Sequence, residues 1–253
     1  FDFFHPDCCW TDDSVMTLAV GDALLEHREK GIDLAEAAVR KMQEWGRRYP
    51  DAGYGGMFVD WLDEKNPKPY QSWGNGAAMR VSFCGWAAKT LREAIRMAHE
   101  VTRVTHDHPE GIAGAEIVAE LVFLARRGIG KEKLRAYAEA HYCPLDFTLD
   151  AIRPGYVFDE SCQGTVPQAI VAFLESRSFT DAVRNAISIG GDSDTLGAIT
   201  GAIAEAYYGV PETIREQALS YLDDGQKTAL LACEKGLFNL HVTGSDWESL
   251  AAD

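Results

Sequence analysis

The stretch 189–204, which reads IGGDSDTLGAITGAIA, constrains the chain more than any other segment. A Gly-Gly turn gives way there to a helix of small residues, with Asp192, Asp194 and Thr195 at its start. Asp192 suits the N-cap, where a carboxylate gains from the free N–H groups and the positive end of the helix dipole. A cap needs no second carboxylate two residues on, and like charges this close repel unless a cation neutralises them. A hard metal ion held by oxygen ligands is the simplest such cation. The pattern alone reads as a metal site or as a well-capped buried helix. Gly or Ala at 197, 198, 201, 202, 204 and 206 lets other backbones approach closely, as a central helix requires.

The rest of the chain is helical in pattern. Apolar residues recur at helical spacing over 15–25 and 33–48. Further helices are expected at 90–104, 108–127, 131–141, 161–175 and 180–188, and again after Pro211 and Asp224. Strand-type alternation is nearly absent. The expected fold is therefore all-α, a single domain over 1–253 built as a compact orthogonal bundle of about ten to twelve helices. The Gly-, Pro- and aromatic-rich stretch 50–72 reads as a long functional loop, and 146–161 as an extended link.

Composition removes some functions. With 24 basic against 39 acidic residues the formal charge is −15, the wrong sign for a nucleic-acid surface built on clustered Lys and Arg. An anionic ligand must then be held locally, by metals or helix N-termini. Hydrophobic residues make up 46% of the chain, and no apolar run nears the roughly 18 residues of a membrane span. The chain opens Phe1-Asp2-Phe3-Phe4, without Met and without a basic leader, so a segment before Phe1 and a cytoplasmic location are expected. The six cysteines, Cys8, Cys9, Cys84, Cys143, Cys162 and Cys233, show no C-x-x-C spacing and read as free thiols.

A second acidic helix start lies near the other end of the chain, at Trp10-Thr11-Asp12-Asp13-Ser14. Two divalent cations about 3.5–4 Å apart need several oxygen ligands, which the two starts together supply if folding brings them face to face. Ser72-Trp73-Gly74-Asn75-Gly76-Ala77-Ala78-Met79-Arg80 combines a cap for a helix near Gly76 with backbone N–H groups exposed to an anion. Thr105-His106-Asp107-His108-Pro109-Glu110-Gly111 reads as a polar turn at a helix start or as a metal cluster.

Taken in order, these four blocks resemble the ADP-ribosylglycohydrolases, the family of the enzyme that releases ADP-ribose from dinitrogenase reductase. The resemblance spans nearly the whole chain. It implies the all-helical fold of that family and two Mg2+ (or Mn2+) ions, held by Thr11, Asp12 and Asp13 on one side and by Asp192, Asp194 and Thr195 on the other. Ser72, Trp73, Asn75, Gly76 and His106 then hold or line the substrate, and Asp12 or Asp13 serves as base or proton carrier. Tyr54 or Phe58 is a candidate to stack on adenine. The implied reaction is hydrolysis at ribose C1″ of an ADP-ribosylated protein or small molecule, most often arginine-linked, with a metal-activated water as nucleophile.

Two departures stand out. Ser14 replaces the usual Thr and keeps the hydroxyl. The Gly-Asp-Ala segment with its acidic residue that normally precedes the first metal motif is expected to lie before Phe1. Two rival readings remain: a non-catalytic, crystallin-like ADP-ribose binder, and an HD-type metal phosphohydrolase with His5, His106, Asp107 and Asp192 as ligands.

Overall fold

Short polar side chains start most of the helices. Asp33, Thr90, Ser161 and Ser178 each accept a hydrogen bond from the amide three residues on, which satisfies N–H groups that have no partner inside a helix. In the computed structural model, which describes residues 2–238, these caps punctuate an all-helical chain. The expected domain runs beyond the described residues at Phe1 and 239–253.

Thirteen α-helices are described: α1 (Asp12–Lys30), α2 (Leu34–Arg48), α3 (Gly56–Asp63), α4 (Ser82–Ala87), α5 (Leu91–Thr102), α6 (Pro109–Arg126), α7 (Lys131–His141), α8 (Leu149–Ile152), α9 (Cys162–Glu175), α10 (Phe179–Ser188), α11 (Ser193–Tyr208), α12 (Glu212–Ser220) and α13 (Asp224–Leu237). Among the described residues there is no strand, only an isolated bridge between Gly74 and Ser161. Among the described residues no helix is long and apolar enough to cross a membrane.

Three expectations shift in detail. The 50–72 stretch is not all loop, because Phe58, Trp61 and Leu62 bury one side of α3 within it. The 146–161 link contains α8, capped by Thr148. The helix expected near Gly76 is only a 3-10 turn, Asn75–Ala77, before α4 begins. Asn75 does not cap it, because its side-chain amide is engaged elsewhere.

The core gathers around α6, α9, α11 and α1. α11 packs against α9, α10 and α6 and also meets α1 and α4, the central position its small residues imply. Its glycines are not the tightest contacts. A Cβ on Gly197 or Gly201 would meet α10 at ordinary van der Waals distance, whereas on Gly85 it would lie 2.6 Å from Ala119 O and on Gly114 2.6 Å from Cys162 Sγ. Close approaches at Gly85 and Gly114 therefore hold α4 and α9 onto α6.

α6 also carries a buried acid. Glu120 is 6% exposed, accepts from the Tyr137 hydroxyl of α7, and is pushed up to about 7, chiefly by burial. A carboxyl whose folded pKa is raised holds its proton more tightly folded than unfolded. It favours the fold below about 4.5 and loses that contribution as pH rises through about 7. Glu120→Gln is therefore expected to match wild type at about pH 5 and to be more stable at about pH 8, by up to about 3 kcal/mol. Urea unfolding at both pH values checks this, and equal differences at the two would contradict it.

Candidate active site

Two helix N-termini from opposite ends of the chain meet at one point. Thr11 is the extended N-cap of α1, but its hydroxyl does not cap the helix and donates instead to Asp13 Oδ2 at 3.1 Å. The Asp12 amide donates to Ala52 O at 2.8 Å, which ties this corner to the turn after α2. From α11, Thr195 Oγ1 donates to the same Asp13 Oδ2 at 3.5 Å. Carboxylate oxygens of Asp12, Asp13 and Asp194 all lie within 4.8 Å of one another.

Asp192 behaves differently from the others. It is the N-cap of α11, yet its side chain caps nothing and accepts from Asn75 Nδ2 at 2.6 Å. Gly190 and Gly191, both left-handed at φ 76 and 69, set the turn that aims it there. Asn75 Nδ2 also lies 3.0 Å from Thr165 Oγ1 on α9, so one amide joins the recognition turn, α9 and the α11 corner.

Burial and mutual repulsion raise these acids. Burial, then the Asp194 charge, pushes Asp12 up to about 7. Asp13 is raised by the same two causes and by Asp12. Burial raises Asp192 to a smaller extent, offset by the Asn75 hydrogen bond. Asp13 Oδ1 is buried with no hydrogen-bond partner, a costly state for a carboxylate unless a cation meets it. An all-oxygen cluster of this kind can hold a hard metal ion.

The corner borders a cleft of about 850 Å³, in the range of ligand sites. Asp12, Asp192, Asp194 and Thr195 line it together with residues 71–76 and His106, and the Asn75–Asp192 hydrogen bond joins the two sets. The 72–76 turn is held open by its own hydrogen bonds and by the 159–162 segment. Ser72 Oγ accepts from the Gly74 amide at 3.1 Å, Asn75 N donates to Glu160 O at 2.8 Å, and Cys162 N donates to Trp73 O at 2.9 Å. Ser72, Asn75 and His106 are nearly buried, while Trp73 is 53% exposed with its ring edge-on to His108.

The structure therefore brings Asp12, Asp192, Asp194 and Thr195 to one cleft with Ser72, Trp73, Asn75, Gly76 and His106, while Thr11 and Asp13 join that corner by hydrogen bonds and do not line the cleft. Neither Tyr54 nor Phe58 is free to stack on a base. The Tyr54 hydroxyl bonds Tyr49 O, and Phe58 is stacked on Trp61 and overlain by the Arg80 guanidinium. The exposed rings at the mouth are Trp73 and Phe158. The His-Asp-His turn is not a metal cluster: Asp107 accepts from the Gln71 amide and His108 caps α6. The HD-type reading fails as well, since Asp12, Asp13 and Asp194 are the one metal-capable group of three or more such side chains among the described residues, and His5 pairs with Asp7. All six cysteines are free.

Sequence reasoning passed over Arg80, Thr105 and Thr165. Arg80 is 1% exposed and donates to Thr105 Oγ1 at 2.6 Å, and Thr105 Oγ1 lies 2.7 Å from His106 Nδ1.

The family model for ADP-ribosylglycohydrolase matches residues 2–245. The chain belongs to the ADP-ribosylglycohydrolase family. Among its relatives, ADP-ribosylhydrolase ARH3 of Mus musculus is 28% identical, over 88% of this chain and 75% of that protein. The ADP-ribosyl-[dinitrogen reductase] glycohydrolase of Rhodospirillum rubrum is 29% identical over 84% and 73%. ADP-ribosylarginine hydrolase Tri1 of Serratia proteamaculans is 25% identical over 79% and 60%. A solved structure described as an ADP-ribosylglycohydrolase-related protein complex superposes with a TM-score of 0.68 at 26% identity, over 92% of this chain and 82% of that one. Family membership supports a glycohydrolase activity.

Proposed function

We propose that this ADP-ribosylglycohydrolase cleaves the glycosidic bond at ribose C1″ of an ADP-ribosylated protein or small molecule, arginine-linked by preference, and releases ADP-ribose. The observation that carries the reading is the meeting of Asp12, Asp13 and Asp194 beside a cleft that Asp12 and Asp194 line together with the 72–76 turn. A relative named for ADP-ribosylarginine supports the arginine linkage.

The residues fit two hard cations. Thr11, Asp12 and Asp13 would hold them from α1, and Asp192, Asp194 and Thr195 from α11. The orphaned Asp13 Oδ1 and the raised carboxyls call for positive charge between them. Bound Mg2+ or Mn2+ supplies Lewis acidity and activates water at neutral pH.

The remaining work belongs to the chain. Asp12 or Asp13, the α1 carboxylates of the corner, would serve as general base or proton carrier beside the cations. With the Gly74 and Asn75 amides engaged inside the protein, the Trp73 and Gly76 amides of the 72–76 turn are left to bind acceptor oxygens of the diphosphate, and Ser72, Asn75 and His106 border them. Trp73 offers an exposed ring to the adenosine end.

Mass spectrometry of ADP-ribosylated arginine, serine and nucleotide substrates incubated with protein and Mg2+ tests this reading. Release is expected from arginine first, and is expected to vanish in Asp192→Asn/Asp194→Asn. ADP-ribose binding without release from any substrate would instead favour the non-catalytic, crystallin-like alternative.

A further inference from the structure

Arg80 is the least expected charge in the molecule. Its guanidinium is almost fully buried, its Nε has no hydrogen-bond partner, and no carboxylate of the described residues forms an ion pair with it. One face overlies Phe58, 5.7 Å from the ring centroid, and Nη2 donates to Thr105 Oγ1. A buried cation with no ion pair, on which the Asp12 charge acts only from a distance, is costly, so its retention points to work done for a neighbour.

The proton count on Thr105 identifies the neighbour. Its oxygen accepts from Arg80 at 2.6 Å, which leaves one hydroxyl proton to place. Two acceptors lie within reach, Thr102 O at 3.3 Å and His106 Nδ1 at 2.7 Å. Thr102 O already accepts the amides of Thr105 and His106, at 3.1 and 2.9 Å, and a carbonyl oxygen has two lone pairs. The hydroxyl proton therefore goes to Nδ1. A neutral imidazole that accepts at Nδ1 carries its own proton on Nε2.

Nε2 is the atom that faces the cleft. Cβ atoms built on Gly74 and Gly76 would each lie 3.5 Å from it, so it sits directly beneath the recognition turn. No hydrogen bond to it forms among the described residues. Burial, then the Arg80 charge, holds the ring well below its ordinary pKa, which keeps it neutral.

We propose that Arg80 and Thr105 are positioning residues that lock His106 as an Nε2–H donor, backed by a buried positive charge and aimed at an anionic oxygen of the ligand. The assignment of that oxygen to the diphosphate of ADP-ribose rests on the functional reading above, whereas the relay itself does not. A fixed donor wall of this kind selects for acceptors and against ligands that present an N–H or ammonium group to the turn.

Long-range 1H–15N spectra of protein labelled in histidine nitrogen read the tautomer directly, with His106→Gln assigning its signals. A neutral ring protonated on Nε2 is expected at pH 7. A ring protonated on Nδ1, or on both nitrogens, overturns the proposal. Thr105→Val removes the hydroxyl at nearly constant volume and is expected to mix the tautomers and weaken ADP-ribose binding about tenfold, in KM rather than kcat. Thr105→Ser is expected to restore both. A Thr105→Val protein that melts earlier but keeps the tautomer and the affinity reduces Thr105 to a structural contact and also overturns it. If Thr105→Val does not fold, the wild-type and Thr105→Ser spectra decide. A wild-type chain that shows Nε2–H yet binds no ADP-ribose supports the relay and overturns the functional reading instead.

Discussion

Asp13→Asn is expected to abolish turnover and at the same time make the metal-free protein harder to unfold at about pH 8. The activity loss follows from Asp13 standing at the centre of the corner, where Thr11 and Thr195 both donate to its Oδ2. Loss of even an outer partner of a metal ligand costs about 10- to 100-fold, so loss of the ligand itself is expected to exceed about a hundredfold in kcat/KM. The stability gain has the opposite origin. Asp13 Oδ1 is buried and unpaired, and the Asp194 and Asp12 charges stand beside it, so its ionised form works against the fold when no cation is present.

The sign with pH follows. Asp12 is raised from 3.8 to about 7, and Asp13 is raised as well, so the folded state binds more protons than the unfolded one across that window. Stability of the metal-free protein therefore falls as pH climbs through about 4 to 8, and levels off once both groups have ionised. Mg2+ should reverse the trend, because cations and protons compete for the same oxygens and the cation gains as protons leave. Thermal melts from about pH 5 to 8.5, in chelator and in Mg2+, measure both effects alongside product release. Wild-type turnover in Asp13→Asn, or stability that rises with pH in chelator, would be the wrong result.

Gly191→Ala is the second large effect. Gly190 and Gly191 have nearly the same left-handed backbone, at φ 76 and 69, but different surroundings. A Cβ on Gly190 meets nothing within 4 Å, while on Gly191 it would lie 2.4 Å from Tyr156 Cε1. Tyr156 cannot simply yield, because its hydroxyl donates to Gly164 O at 2.7 Å in the first turn of α9. Gly190→Ala should thus cost only the backbone term, about 1–2 kcal/mol, and keep activity. Gly191→Ala should cost about 2–4 kcal/mol, lower Tm by about 5–10 °C, and displace Asp192 and Asp194 enough to lose most activity. Paired melting and activity measurements decide it, and equal behaviour of the two alanine variants would refute the packing argument.

The acidic corner was legible because its chemistry is written in adjacent residues. Two carboxylates and a hydroxyl crowded at a helix start are expensive unless compensated, and Thr11-Asp12-Asp13 and Asp192-Ser193-Asp194-Thr195 share that oddity. Helix positions were legible from apolar spacing wherever a helix was long and amphipathic. α3 was not, because Gly55 and Gly56 hide its start and no side chain caps it. The Arg80–Thr105–His106 chain was illegible for a different reason. Arg80 and Thr105 are 25 residues apart, and nothing in sequence says that a guanidinium is buried without a carboxylate. Tyr54 and Phe58 misled because aromatic content in a loop signals either an exposed platform or an anchor, and here both rings anchor.

The Asn75 amide has one further consequence. Since the same nitrogen touches Asp192 and Thr165, any guest that tugs on this residue from above also tugs on a carboxylate of the ionic corner below. Occupancy of the upper and lower halves of the cleft is then thermodynamically reciprocal: whatever one guest does to the other's affinity is returned in equal measure.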